Sequence, residues 1–341
     1  MPQKCWEWKK ISCPEKPGHQ NVIIEVKAAS LNHIDLWLGN GYGNKLFEKL
    51  GVYPPFVLGR DGSGIIKKVG SSVWNYLQGQ EVIFAVHPTE INGGTFANYI
   101  EIPQWYIARK PPNLSFEQSA GLPYAGLTGW SALVKYGGVG KNEKKTVLVH
   151  GGAGAVGFLA IQYLNAIGCS VVTTCKSKDL QRLVDLKVGE VVDIENEDYG
   201  LLLNGFGPYD VILDCSPVTQ RAHIENISIP LLHKGGHFIT LNGDFIRSID
   251  ESPSFLSGLF SGSTEGTIKK INYFKNYGIH YHWGLFQNDA NGLQEISCLA
   301  EAGKIIPHTP SVYQAKDFKK ALEDYESNKA KKIVFQFDVE L

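Results

Sequence analysis

The sequence predicts an α/β protein with two domains, a β-rich one and a doubly wound one that contains a parallel six-stranded sheet. Short strand-like runs broken by glycine and proline fill the first third of the chain. From residue 146 onward, strand-like and helical segments alternate in βαβ order. The length of 341 residues also exceeds what one small hydrophobic core usually organises.

The first domain is predicted from four runs that share strand length and a high content of β-branched residues. These predicted strands are 21–28, 63–69, 81–84 and 96–102. From Phe116 the apolar residues recur with helical spacing instead, so we place a boundary at residue 118. The tail resumes with a helix and a last strand, 332–337, which we assign back to the first domain. We therefore expect one domain at 1–118, completed by 303–341, and a second at 119–302.

The second domain is predicted from a complete βαβ unit followed by further alternation. Thr146–His150 is a buried strand, the glycine-rich segment 151–157 follows it, and a helical stretch leads to a strand at 170–174. Four more strands are predicted at 191–193, 210–214, 236–240 and 279–286. This order is typical of a Rossmann domain with a parallel sheet.

Composition excludes several classes of function. Lysine and arginine total 33 against 34 aspartate and glutamate, so the chain lacks the basic excess of a nucleic-acid-binding protein. No apolar run approaches the roughly 20 residues of a membrane span. The six cysteines form no Cys-x-x-Cys pair, which disfavours both a disulfide framework and a structural zinc site. Residues 1–11 resemble neither a signal peptide nor a transit peptide.

A dinucleotide site is predicted where the first strand of the βαβ unit meets its helix. Gly152, Gly154 and Gly157 form a G-x-G-x-x-G motif with the correct strand and helix flanks. We expect Gly152 to permit the tight turn, Gly154 to let backbone N–H groups approach a pyrophosphate, and Gly157 to allow close packing of helix on strand. An ordinary glycine-rich turn is the alternative.

The loop after the second strand of this unit indicates which dinucleotide binds. An NAD site usually has an acidic residue here to hold the ribose, whereas this chain has Lys176, Ser177 and Lys178. Two lysines and a hydroxyl suit a 2′-phosphate, so we expect Lys176 and Ser177 to bind NADPH. A solvated loop whose lysines contact nothing is the alternative.

Five segments resemble the zinc-free quinone oxidoreductase branch of the medium-chain dehydrogenase/reductase superfamily. They are AASLNHIDLWLGNGYG (28–43), PFVLGRDGSGII (55–66), GGTFANYIEIP (93–103), LPYAGLTGWSAL (122–133) and GGAGAVG (151–157). The resemblance implies a GroES-like fold for the first domain. It also implies direct hydride transfer from NADPH to a quinone or an α,β-unsaturated carbonyl.

The resemblance also identifies the positions that hold zinc in metal-dependent members. Here they are Asn32, Arg60 and Tyr124, and these side chains cannot form a zinc site because a guanidinium offers no lone pair. His33, His87, His280 and His282 lack spaced metal-ligating partners, so we expect no catalytic metal. We expect Arg60 and Asp61 to form a structural ion pair.

The catalytic groups implied by the resemblance are Asn32, Tyr42 and Tyr124. The Asn32 amide would orient the nicotinamide ribose or a substrate oxygen, or would simply cap a helix. Either tyrosine would donate a proton to the reduced acceptor, or would only line the pocket. Asp35 would orient the Asn32 loop. The tail sequence Ala330-Lys331-Lys332 replaces the Gly-Lys turn of the family, which we interpret as a structural variation.

Further cofactor contacts are implied by the resemblance alone. They are Thr128, Ala153, Ala155, Val156, Leu241 and Phe286. The strand 279–286 would pair with a second copy to form a homodimer. The segments GYG, LPY and IHYHWGLF are similar to a mitochondrial, reticulon-interacting subgroup. That similarity implies a mitochondrial location, a role in ubiquinone metabolism and a reticulon-type protein partner; without it, the chain would be placed in the cytoplasm.

Two other functions stay open at this stage. An enoyl-thioester reductase has the same fold and a tyrosine donor, although no basic cluster for a carrier phosphate is evident in the sequence. An interaction protein that senses NADPH, with little turnover, would need only the dinucleotide site. Much higher activity on an enoyl thioester than on quinones would identify the first alternative, and tight NADPH binding without acceptor-dependent oxidation would identify the second.

Overall fold

The computed structural model describes residues 6–90, 93–141, 143–243, 245–327, 329–330 and 332–337. The chain forms two compact units. The first extends to Leu127 and includes Gln287–Gly303 and the chain from Pro307 onward, and the second comprises Thr128–Phe286 with Lys304–Ile306.

Strands and helices are numbered in chain order over the described residues. The strands are β1 (Asn21–Ser30), β2 (Asp61–Val69), β3 (Glu81–Ala85), β4 (Tyr99–Pro103), β5 (Ile107–Arg109), β6 (Thr146–His150), β7 (Ser170–Cys175), β8 (Glu190–Asp193), β9 (Tyr209–Asp214), β10 (Leu232–Thr240), β11 (His280–Trp283), β12 (Ser311–Gln314) and β13 (Ile333–Gln336). The helices are α1 (His33–Gly39), α2 (Asn44–Lys49), α3 (Phe116–Ala120), α4 (Pro123–Trp130), α5 (Ala155–Ala166), α6 (Ser177–Val184), α7 (Tyr199–Phe206), α8 (Arg221–Ser228), α9 (Phe245–Glu251), α10 (Phe255–Tyr277), α11 (Ala290–Glu301) and α12 (Phe318–Glu326).

The first unit is built around β1, whose side chains are almost all buried. Its sheet has the order β12-β13-β1-β2-β3-β5, and β4 also pairs with β1. The tail strand β13 is antiparallel to β1, with Ala29 opposite Phe335. Aliphatic and aromatic side chains from β1 to β4 and from the tail form one core. The last strand of the chain thus completes the sheet that the first strand begins.

The second unit confirms the predicted doubly wound α/β fold. All six of its strands are parallel, in the order β11-β10-β9-β6-β7-β8. The order reverses between β6 and β9, so the carboxyl ends of these two strands mark the point where ligands usually bind in such sheets. The centres of the inner strands β6 and β9 are apolar and fully buried, as expected for a sheet covered on both faces.

The boundaries of the two units differ from the expected residues 118 and 302. Helix α11 belongs to the first unit, because the Ser297 hydroxyl donates to the Arg109 carbonyl (2.6 Å) and the Asn113 amide donates to the Ala300 carbonyl (3.2 Å). The first boundary falls inside α4, where residues up to Leu127 group with the first unit. Helical periodicity predicts α11 and α4 but not which sheet each one covers.

Several helices lie where the sequence shows only glycine-rich or irregular composition. Helices α2, α9 and the 23-residue α10 are the main examples. In α10 the glycines at 258, 262 and 266 are buried, and a Cβ at Gly258 would lie 2.4 Å from Ile249 Cα. Close packing therefore stabilises a segment with low intrinsic helix propensity.

His150, at the end of β6, makes stability depend on pH. It is fully buried, its Nε2 lies 2.8 Å from the Ser228 hydroxyl, and burial lowers its pKa from 6.5 to about 3. The unfolded chain binds a proton at this histidine more tightly than the folded chain does. The unfolding free energy therefore decreases as the pH falls below 6.5.

We predict that His150→Asn flattens this dependence. Between pH 6.5 and pH 5 the wild-type chain should lose about 2 kcal/mol of unfolding free energy that the variant keeps, at about 1.4 kcal/mol per pH unit. Urea unfolding of both proteins at the two pH values measures the difference. Parallel pH profiles would show that His150 is not the group responsible.

Candidate active site

The glycine-rich turn between β6 and α5 has the geometry of a phosphate site. The left-handed residue is Gly151, with φ +75°, so the tight turn depends on Gly151 and not on Gly152 as we expected. Gly152 is required for another reason: a Cβ there would lie 2.0 Å from Thr173 Oγ1. At Gly157 a Cβ would lie 2.3 Å from the Gly151 carbonyl oxygen, which agrees with close packing of helix on strand.

Gly154 is the glycine of this turn that leaves most room for a ligand. A Cβ at Gly154 would meet only the Gly151 carbonyl oxygen, at 3.3 Å. Gly154 is also the N-cap of α5, and the next N–H groups, of Ala155, Val156 and Gly157, are those that an α-helix leaves without intrahelical acceptors. The turn therefore offers backbone donors and a helix N-terminus to an anion such as a pyrophosphate.

The other predicted cofactor residues lie close to strand ends or in the adjoining helix. Lys176 and Ser177 follow β7, Leu241 follows β10, and Phe286 lies three residues beyond β11. Ala153 is in the turn itself, and Thr128 is a mostly buried residue of α4. The carboxyl ends of parallel strands meet at one edge of a sheet, so the turn and these strand-end residues share the edge where doubly wound domains bind nucleotides.

Arg182 is a residue of this site that we did not predict. Its Nη2 donates to the Ala153 carbonyl (3.1 Å), and its guanidinium lies 4.7 Å from the Phe158 ring. Its Nε is buried without a hydrogen-bond partner among the described residues. The side chain thus places a positive charge beside the turn. A basic residue on the helix after β7 was the available signal in the sequence.

The Lys176–Ser177 loop contains carboxylates that its local sequence does not show. The Ser177 hydroxyl donates to Asp193 (2.5 Å), and the Ser177 N–H donates to Glu195 (3.2 Å). The hydrogen bond from Ser177 lowers the pKa of Asp193. The loop itself has no acid between Lys176 and Lys178, but the end of β8 and the residue two positions beyond it bring two carboxylates to Ser177.

A network of buried polar groups connects distant parts of the first unit. The Asn32 amide donates to Asp61 Oδ1 (2.8 Å), and its oxygen accepts from Lys332 Nζ (3.1 Å). Asp61 also accepts from the Ser30 hydroxyl (2.6 Å) and from the Tyr124 N–H (3.1 Å). We refer to Ser30, Asn32, Asp61 and Lys332 as the Asp61 network.

Asn32 has no amide hydrogen left for another acceptor in this arrangement. Its second N–H points to the Ser30 carbonyl at 3.3 Å. Asn32 is also the N-cap of α1, and its backbone N–H donates to Asp35 (2.8 Å), so Asp35 does orient the Asn32 loop. The structure thus shows Asn32 as a bridge between Lys332 and Asp61.

Lys332 is the second residue that sequence reasoning missed. It is 5% exposed, and burial lowers its pKa although Asp61 and Asp35 oppose that effect. We interpreted its segment only as a variation of a family turn. The structure instead places this ammonium group in the interior, where it compensates buried carboxylates.

Arg60 does not pair with Asp61 as we expected. Its Nε lies 3.9 Å from Asp35, and its Nη atoms donate to the carbonyls of Glu90 (3.0 Å) and Val57 (3.3 Å). Arg60 directly precedes β2, and Asp61 is the first residue of that strand. Side chains of consecutive residues in an extended chain point to opposite faces of the sheet. Burial raises the pKa of Asp35 to about 7.

Tyr124 lies close enough to Asp35, Asp61 and Tyr42 to interact with them electrostatically. Burial raises the pKa of Tyr124 well above its ordinary value of 10, and Asp35, Asp61 and Tyr42 add to the shift. The Tyr42 ring packs against Trp37, with ring centroids 5.5 Å apart. The Tyr124 phenol therefore stays protonated at neutral pH and can act as a donor.

The donor set at Asn32, Arg60 and Tyr124 does not fit a zinc ion. The Asn32 oxygen is already bonded to Lys332, and the Arg60 guanidinium has no lone pair to give. Within the described ranges, no group of three or more His, Cys, Asp or Glu side chains is arranged to hold a metal. His280 and His282, which we expected to be isolated, instead lie beside His237, whose Nδ1 is 3.0 Å from His282 Nε2.

Two family descriptions match the chain. Residues 18–112 match the alcohol dehydrogenase GroES-like domain, and residues 186–334 match the zinc-binding dehydrogenase domain. The first match confirms the GroES-like fold expected for the β-rich unit. No helix in the described part of the chain is long and apolar enough to cross a membrane.

Curated relatives and solved structures resemble most of the chain. The NAD(P)H oxidoreductase RTN4IP1, mitochondrial, of Danio rerio is 31% identical and covers 91% of this chain and 81% of its own. The Homo sapiens protein of that name is 34% identical, with 84% and 74% covered. The quinone oxidoreductase structure from Coxiella burnetii is 26% identical, with a TM-score of 0.73 over 96% of this chain and 93% of its own.

Two substitutions separate the ligand-facing glycine from the packing glycine of the turn. The methyl group of Gly154→Ala would contact only the Gly151 carbonyl oxygen, which needs to shift slightly. The unfolding free energy should therefore change by less than about 0.5 kcal/mol. The added methyl group should nevertheless hinder approach of a pyrophosphate and raise the dissociation constant of NADPH at least tenfold. Gly157→Ala, the matched control, should destabilise the fold by about 1–3 kcal/mol through its contact with Gly151.

Urea unfolding and titration of nicotinamide fluorescence give the two quantities for each variant. Unchanged NADPH binding by Gly154→Ala would show that this turn is not the phosphate site.

Proposed function

Because the chain belongs to the quinone oxidoreductase branch of the medium-chain dehydrogenase/reductase superfamily, we propose that it reduces a quinone or an α,β-unsaturated carbonyl with NADPH. Membership confirms the family predicted from the sequence, and with it an oxidoreductase that uses a nicotinamide cofactor. Three parts of this function are proposals: the kind of acceptor, the preference for NADPH and the absence of zinc.

The observation that carries this proposal is the Asp61 network. At two of the positions that hold zinc in metal-dependent members, the side chains are already engaged: Asn32 is bonded to Asp61 and Lys332, and Arg60 to backbone carbonyls. Oxidation of an alcohol without a Lewis acid would need another group to take up the hydroxyl proton. A quinone or enone needs only a donor for the oxygen that becomes negative, and a neutral phenol satisfies this requirement.

The bound cofactor supplies the hydride, and the residues of the chain have three tasks. The turn at Gly151–Gly157 holds the pyrophosphate through backbone N–H groups. Tyr124 donates a hydrogen bond or a proton to the acceptor oxygen, and Tyr42 is a second phenol beside it. Asn32, whose amide hydrogens are committed, is better described as a positioning residue that joins Lys332 to Asp61.

The preference for NADPH depends on a balance of charges near the Lys176–Ser177 loop. Lys176, Lys178 and Arg182 favour a 2′-phosphate, whereas Asp193 and Glu195 oppose it. Asp179, in the first turn of α6, is a third carboxylate nearby. We propose NADPH because Lys176 and Lys178 flank Ser177 directly in the loop. Ser177 contributes less to binding of the 2′-phosphate than we expected, because its hydroxyl already donates to Asp193.

Four further proposals concern assembly, location, metabolic role and partner. Strand β11 is the last in the sheet order, which supports pairing with a second copy as a homodimer. The names of the relatives support a mitochondrial location, and with the quinone acceptor a role in ubiquinone metabolism. The Caenorhabditis elegans relative, 31% identical, is named reticulon-4-interacting protein 1, which supports a reticulon-type partner.

Steady-state assays test the reductase directly. The purified chain should oxidise NADPH when a small quinone or enone is added, with a higher kcat/KM for NADPH than for NADH. Tyr124→Phe should lower kcat by about tenfold to a thousandfold and leave the KM for NADPH unchanged, because the phenol acts on the acceptor. Tyr313→Phe, which removes a phenol bonded to Asp324 in the same unit, is the control and should keep full activity.

Three results would contradict parts of this account. Absence of NADPH oxidation with every quinone and enone would overturn the reductase and favour an NADPH sensor. Much faster turnover of an enoyl thioester would change the acceptor class. Full activity of Tyr124→Phe would remove the proposed role of that phenol.

A further inference from the structure

Helix α10 of the second unit has a buried face made of small residues. Gly258, Gly262 and Gly266 repeat every four residues and are buried. Their missing side chains let the helix approach α9 and the Trp283 ring, with a Cβ at Gly266 only 3.1 Å from Trp283. This packing determines which face of α10 points outward.

The outward face carries a continuous apolar stripe. Leu256, Phe260, Ile271 and Phe274 are 74%, 75%, 46% and 56% exposed. With Thr264 and Thr267 between them, these residues follow one another at spacings of four, four, three, four and three, which is one face of an α-helix. Eighteen steps of about 1.5 Å make the stripe about 27 Å long.

The polar groups within this stripe are satisfied by the helix itself. The Thr264 hydroxyl donates to the Phe260 carbonyl (2.7 Å), and the Thr267 hydroxyl donates to the Ser263 carbonyl (2.8 Å). Neither hydroxyl therefore needs water as an acceptor. Leu259, Ile268 and Tyr277, which are also exposed, widen the apolar surface.

Lysines border the stripe on both sides. Lys270 precedes Phe274 by four residues, and Lys275 follows Ile271 by four, so each neighbours a residue of the stripe. Neither forms an ion pair with a carboxylate among the described residues. The single acid of α10, Glu265, is instead engaged by Arg221 at 3.3 Å. The outward face therefore combines apolar side chains with positive charge.

This charge pattern distinguishes between two possible binding partners of the stripe, a second copy of the chain and a lipid surface. A second copy paired through this stripe would offer the lysines no carboxylate, because the single acid of α10 is already engaged by Arg221. An anionic lipid surface offers acyl chains to the stripe and phosphates to the lysines. We propose that α10 lies on an anionic bilayer surface with this stripe embedded at the boundary between headgroups and acyl chains.

Sedimentation of the full chain with lipid vesicles tests the proposal. One set of vesicles is phosphatidylcholine, and the other contains phosphatidylcholine and phosphatidylserine at roughly 7:3. The chain should sediment with the anionic vesicles, much less with the neutral ones, and less at high salt. Two paired variants, L256S/F260S and K270E/K275E, should each lower the partition coefficient at least tenfold.

The matched control is L201S/L202S, which removes two exposed leucines of α7. It should bind vesicles as the wild-type chain does, and urea unfolding should show that all variants are folded. An absence of binding to anionic vesicles, or equal losses in the control, would overturn the proposal. Dissociation of an oligomer by L256S/F260S, seen in light scattering without vesicle binding by the wild-type chain, would assign the stripe to a second copy.

Discussion

The first unit depends on the compensation of one buried carboxylate, that of Asp61. A charge taken out of water is stable only when hydrogen bonds and an opposite charge replace its hydration. Here β1 contributes Ser30, the residue before α1 contributes Asn32, and α4 contributes a backbone N–H. The tail contributes Lys332, which lies 300 residues from Asn32 along the chain. Burial raises the pKa of Asp61 and lowers that of Lys332, which disfavours both charges. The attraction between the two groups opposes both shifts, so each group makes the charge of the other less costly.

The same network explains the chemistry that we assign to this unit. Because the Asn32 amide bridges the ammonium and the carboxylate, it is held in one orientation and is not available as a metal ligand. Tyr124 is connected to the network by its backbone N–H, while its phenol stays protonated beside acidic groups. A neutral donor in a low-dielectric site suits the reduction of a conjugated carbonyl better than the oxidation of an alcohol.

Local patterns in the sequence predict the second unit well and the active-site details less well. The strand Thr146–His150, the glycine motif and the alternation that follows are sufficient to predict a parallel sheet with a phosphate turn. They do not show that Asp193 reaches Ser177 from the next strand, or that Arg182 turns back toward Ala153. Lys332 was missed for the same reason, since nothing near it in the chain indicates a carboxylate. Helix α10 was missed because its glycines are stabilised by packing and not by propensity.

A double-mutant cycle on Asp61 and Lys332 tests the central claim most directly. Unfolding free energies of D61N, K332M and the double variant would be compared with that of the wild-type chain. Each single change leaves one buried charge uncompensated and should cost about 3–5 kcal/mol, whereas the double variant should cost less than the sum by about 1 kcal/mol or more. Losses that simply add would contradict the account, because the two groups would then be independent.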